Sequence, residues 1–69
     1  MYRPEKGETI IVLGETIDGT KWTVGRVLEV KENKYKVETE NPVIEHDSVE
    51  VHPEDIHEMT DRNYDEYVN

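Results

Sequence analysis

Residues 22–39, WTVGRVLEVKENKYKVET, decide the fold. Trp22 to Lys31 is dense in β-branched and bulky apolar residues, with Val24, Val27, Leu28 and Val30 in one run, and reads as a long strand. Gly25 interrupts that run and predicts a bend or bulge. Glu32-Asn33 supplies a hairpin turn. On the return strand Tyr35, Val37 and Thr39 alternate with Lys36 and Glu38, the period of a sheet with one apolar face.

Upstream, Thr9-Ile10-Ile11-Val12-Leu13 is a second β-branched run that closes at Gly14. Glu15 to Lys21 is polar and holds Asp18-Gly19, a dipeptide suited to positive φ in a tight turn. Downstream, Asn41-Pro42 breaks the chain, and a polar loop with Val43 and Ile44 embedded in it runs to Asp47. Ser48 to His52 alternates again, with Val49 and Val51 facing inward. Pro53-Glu54-Asp55 predicts a single 3₁₀ turn, and Ile56 to Met59 a final short strand. Thr60 to Asn69 is polar with two tyrosines. It reads either as one or two helical turns capped by Thr60 or Asp61, or as a frayed tail.

The fold class is therefore all-β. Five short strands at close spacing predict a small, strongly bent barrel over residues 1–59, because closure hides sheet edges. Residues 60–69 follow as an acidic C-terminal tail or short helix. Ile11 and Leu13 point opposite to Ile10 and Val12, so they either cover a second small core or make a dimer contact. A 69-residue chain with 33% hydrophobic residues, no Phe and no cysteine has a thin stability margin and no disulfide or thiolate metal site. Pairing into a homodimer is one way for such a domain to gain burial.

The longest apolar run, Ile10 to Leu13, is too short to span a bilayer, and no apolar signal region follows Arg3. The expectation is a cytoplasmic protein. The charge is lopsided: 17 acidic against 8 basic side chains give −9 overall. Residues 1–37 carry seven basic and six acidic groups, a net of +1, while residues 38–69 carry eleven acidic groups and only Arg62, a net of −10. Such a field repels phosphate backbones and anionic membranes and attracts basic partners, so direct nucleic-acid binding is disfavoured.

The strands have a recognisable order of motifs. Lys6-Gly7-Glu8-Thr9-Ile10-Ile11-Val12, Gly25-Arg26-Val27-Leu28-Glu29-Val30, Tyr35-Lys36-Val37, and Val49-Glu50-Val51-His52-Pro53-Glu54-Asp55-Ile56 together resemble an SH3-like barrel of the Tudor and KOW type. The resemblance covers residues 6–59 and implies a fold more than a function. It departs from the Tudor aromatic cage, since only Trp22 and Tyr35 fall inside the barrel.

The acidic array is the leading candidate site. Glu38, Glu40, Glu45, Asp47, Glu50, Glu54, Asp55, Glu58, Asp61, Asp65 and Glu66 fall within 29 consecutive positions. Glu38 and Glu40 share a strand face about 7 Å apart, and Glu50 and Glu58 are placed to add to it from neighbouring strands. Duplex DNA carries about one negative charge per 1.7 Å of axis, and rows of carboxylates on a rigid β surface imitate that field. In size and charge asymmetry the chain resembles small acidic bacteriophage host-takeover proteins, which mimic DNA and inhibit the histone-like nucleoid protein HU. That resemblance implies a basic, HU-like partner in the host cytosol. A solvated face serving solubility is the plainer reading.

The alternative site is a groove at Trp22 and Tyr35, through which a Tudor- or KOW-like adaptor would bind transcription or translation machinery. His46, His52 and His57 match no established zinc spacing and read as surface residues, with no metal and no cofactor. Ser48 is the only serine and has no nucleophile-elbow context, and the four glycines are spread singly. The chain reads as a binding protein, not an enzyme.

Overall fold

The computed structural model describes residues 2–16, 19–39 and 48–69. The protein is all-β with a small helical end. Strand β1 spans Thr9–Thr16, β2 Gly19–Val30, β3 Tyr35–Thr39, β4 Val49–Val51 and β5 Ile56–Glu58. The strands form one antiparallel sheet in the order β4-β3-β2-β1-β5.

The expected barrel closure is not present. Among the described residues β4 and β5 stand at opposite ends of the sheet, and each is only three residues long. The sheet is nevertheless coiled, because Val51 of β4 and Ile56 of β5 pack into the same core as Ile10, Val12, Val27, Tyr35 and Val37. Tyr2 and Val49 lie against its margin. Each fully buried isoleucine or valine of this core contributes about 1.5–3 kcal/mol over an exposed one.

The β1–β2 hairpin is longer than the residue types suggested. Gly14 does not end β1: it pairs with Lys21, and the ladder continues through Glu15↔Thr20 to Thr16↔Gly19. A polar sequence carries a strand here because the antiparallel ladder bonds through the backbone. Gly19 takes a φ of 113°, as the turn dipeptide implied, while Asp18 lies outside the described residues.

Gly25 is not the bulge. The register slips between Val27 and Glu29, leaving Leu28 as the extra residue. Gly25 instead serves a close approach: a Cβ there would lie 2.7 Å from the Glu38 carbonyl oxygen and 3.1 Å from Val12 Cγ1. At the β2–β3 hairpin the Lys31 amide donates to the Lys34 carbonyl at 2.9 Å, framing the expected Glu32-Asn33 turn.

Pro53–Asp55 forms the anticipated 3₁₀ turn. β5 then stops at Glu58, one residue before Met59. Of the two readings of residues 60–69, the helical one holds. Thr60 caps the segment, its hydroxyl accepting from the Asn63 amide at 3.1 Å, as an N-cap threonine does. A short α-turn, Asp61–Asn63, runs into a π-helical turn, Tyr64–Val68, whose wide pitch is shown by the Asn69 amide donating to the Tyr64 carbonyl at 3.0 Å. The Asn63 side-chain amide also donates to the Glu58 carbonyl at 2.9 Å, tying the helical segment to the end of β5.

That segment packs on β1 and β2. Register places Ile11 opposite Val24 and His57, and Leu13 opposite Trp22, on the face turned away from the main core. Ile11 is 0% exposed yet belongs to no part of the main core. Of the two sequence readings, the fold gives Ile11 the second small core, with Leu13 half-buried on the same face. Among the described residues no helix is long and apolar enough to cross a membrane.

Candidate functional site

Two surfaces follow from this arrangement. The first is the acidic array, which the sheet divides. Register puts Glu38 opposite Arg26 and Glu50 opposite Lys36, both on the outer face of β2–β3–β4. Cations are interleaved there, and Lys31 Nζ meets Glu50 Oε2 at 2.9 Å. Directly opposed unlike charges stabilise a strand pair and cancel much of its outward field. Glu58 pairs with Ile10, so it falls on the other side of the sheet and at its far edge. Glu38, Glu50 and Glu58 therefore do not form one row. Glu40, Glu45, Asp47 and His46 lie outside the described residues.

The remaining carboxylates gather around β5 and the helical segment. Glu54, Glu58, Asp61, Asp65 and Glu66 are exposed and Asp55 is half-buried, with Arg62 the only Lys or Arg between residues 53 and 69. The unbalanced charge belongs to this end of the molecule. The structure thus separates a charge-paired strand surface on β2–β3–β4 from a carboxylate-rich end of the molecule at β5 and the helical segment.

The Lys31–Glu50 pair has a definite pH signature. The hydrogen bond from Lys31, and then its positive charge, lower the Glu50 carboxyl from its ordinary 4.5. The same bond, and then the Glu50 charge, raise Lys31 above its ordinary 10.5. A lowered carboxylate stabilises the fold above its ordinary value, and that contribution disappears as pH falls through the lowered one. A raised lysine stabilises below its ordinary value, and that contribution disappears as pH rises through the raised one. Both side chains are largely solvated, so screening leaves the pair little weight. We expect Glu50→Gln and the native chain to melt together at neutral pH. A drop of several degrees would show that the pair does support the fold.

The second surface is aromatic. The Trp22 and His57 ring centroids are 4.7 Å apart, and Trp22 and Tyr67 are 5.2 Å apart, both pairs tilted. His57 and Tyr67 stack at 4.0 Å with an interplanar angle of 10°. All three side chains are half-buried. β2, β5 and the helical turn each supply one ring, so the cluster is where the helical segment meets the sheet.

Tyr35 does not join Trp22 in a groove. It is 4% exposed within the main core, on the opposite face of the sheet. His57 and Tyr67 are the partners that sequence reasoning missed. Strand parity carried the signal for His57, since a residue flanking a core position such as Ile56 faces outward, alongside Ile11. Nothing in the sequence marked Tyr67 above Tyr64.

A shallow groove of about 160 Å³ opens beside Gly25, lined by Thr9, Val24, Arg26, Glu38 and Thr39. Among the described residues no group of three His, Asp or Glu side chains is placed to hold a metal ion. Compared with known proteins, the chain matches no protein-family model, no curated protein and no solved structure.

Proposed function

We propose that this protein is a non-enzymatic acidic inhibitor, which occupies the DNA-binding surface of a basic nucleoid-type protein of the HU kind and so competes with DNA. The observation that carries this reading is the segregation of charge. Six carboxylates lie between residues 54 and 66 with a single arginine among them, while the sheet face of β2–β3–β4 is charge-paired. A one-signed face steers a basic partner and raises its on-rate, and a balanced face does not. The small size and acidic character fit a bacteriophage protein acting in the host cytosol.

The SH3-like assignment belongs to the same proposal. The order β4-β3-β2-β1-β5, the coiled sheet and the 3₁₀ turn before the last strand support it. In this reading the coiled sheet is the support from which the carboxylates of β5 and the helical segment are displayed.

A competition titration tests the function. DNA duplex bound to an HU-type protein is expected to be released by near-stoichiometric amounts of this chain. The inhibition should weaken about tenfold or more between low and moderate salt, as contacts between exposed charges are screened. Changing Glu54 and Glu58 to Gln together with Asp61 and Asp65 to Asn should abolish release with the strand signal intact. Glu38→Gln with Glu50→Gln, on the charge-paired face, should leave it nearly unchanged. Full inhibition by the quadruple variant would end the proposal.

The adaptor reading draws on a different observation, the half-buried Trp22 in an aromatic cluster on the outer face. Under it, Trp22→Ala abolishes partner capture and leaves DNA competition untouched.

A further inference from the structure

We propose that residues 60–69 are a lid that opens without unfolding the sheet and, while closed, covers part of the Trp22 face. This rests on the adaptor reading only for the use made of the open face.

The two sides of the contact are unequal. On the sheet side Ile11 is fully buried, beside Leu13, Trp22 and Val24 on the same face. On the lid side no residue of the α-turn or the π-turn is buried. The sheet therefore depends on the lid to exclude water, while the lid half-buries only Asn63, Tyr67 and Val68 and leaves its other side chains exposed. A helix of two short turns is far below the length at which helices persist unaided in water. Its hold comes from the Tyr67 ring against His57 and Trp22, the Thr60 cap, and the Asn63 bond to the Glu58 carbonyl.

The hinge is placed to let this happen. β5 ends at Glu58, and Met59 and Thr60 are both exposed. Swinging residues 60–69 away breaks no strand pairing and leaves every side chain of the main core in place. Segments with few buried contacts and solvated hydrogen bonds open at lower free energy than the core they rest on.

Hydrogen exchange on the full chain reads both parts at once. The lid amides are Asn63, Tyr64 and Asn69; the Val27 amide, which donates to the Glu8 carbonyl at 3.0 Å, reports the sheet. The lid amides are expected to exchange well before Val27 in the native chain. Thr60→Ala should speed them about fivefold, the equilibrium equivalent of losing a typical N-cap, without altering Val27. The same variant should raise acrylamide quenching of Trp22, the only tryptophan, while the strand signal is unchanged.

Lid amides that exchange together with Val27 in the native chain would overturn the proposal, because lid and sheet would then be one cooperative unit. That measurement needs no variant. Faster lid exchange with unchanged Trp22 quenching would overturn it too, since the helix would be fraying without uncovering the face. Neither result bears on the adaptor reading itself, which stands or falls on partner capture by the Trp22→Ala chain.

Discussion

Replacing Gly25 with alanine should lower the urea midpoint more than any other single methyl added to the sheet. The added Cβ would sit 2.7 Å from the Glu38 carbonyl oxygen, and that oxygen is backbone, so no side chain can turn aside to relieve the contact. β2 and β3 must separate locally, or β2 must tilt into Val12 Cγ1, which is already 3.1 Å away. Overpacking of this kind costs about 1–3 kcal/mol, against a total of about 3–10 kcal/mol for a chain of this length. The midpoint temperature should fall by about 4–8 °C for each kcal/mol lost. Gly25→Val should leave no cooperative transition. An alanine variant with the native midpoint would mean that the two strands stand further apart than described.

Ile11→Ala carries the second large effect, about 2–5 kcal/mol, the cost of truncating a fully buried isoleucine. Ile10→Ala should cost about the same, although the two residues point to opposite faces. A sheet with one wet face would give a different pattern, since surface substitutions usually stay within about 0.5 kcal/mol. Equal losses at Ile10 and Ile11 are therefore the signature of two cores back to back. Chemical denaturation of the two variants checks it, and a near-neutral Ile11→Ala would mean the helical segment does not seal the second face. Tryptophan emission follows both unfolding reactions, because Trp22 lies on the Ile11 face.

Much of the strand pattern was legible because it rests on side-chain alternation, a local property. Tyr35 and Val37, Val49 and Val51, and Ile56 after the 3₁₀ turn all face where their period places them. The Ile11 parity was legible too, but not its resolution, because nothing in Thr60–Asn69 states that this polar stretch will lie across β1 and β2. The strand ends were missed for a related reason. Gly14, Glu15 and Thr16 pair with Lys21, Thr20 and Gly19 through backbone groups that every sequence possesses, so residue type says little about where pairing stops. Gly25 reads from the sequence as a bend or bulge and the bulge falls instead at Leu28, since a bulge and a close approach both favour glycine and only the register separates them. The carboxylates were legible as a quantity and not as an arrangement. Which of them meet lysines depends on cross-strand neighbours, and β5 is separated from β3 and β4 by the width of the sheet.

The presence of two cores on one strand has a consequence for folding. Ile10, Ile11 and Val12 are all 0% exposed, so this part of β1 has no side that water reaches. A strand with one apolar face resists slipping by one residue, because the shift would turn its greasy side to solvent. β1 lacks that safeguard: moved by one place, it would still offer isoleucine or valine in both directions. Alignment must then be read from shape. The turn supplies that shape: from Ile10↔Gly25 the ladder runs on to Thr16↔Gly19, where Gly19 takes a φ of 113°, and the turn geometry holds the hairpin in one setting.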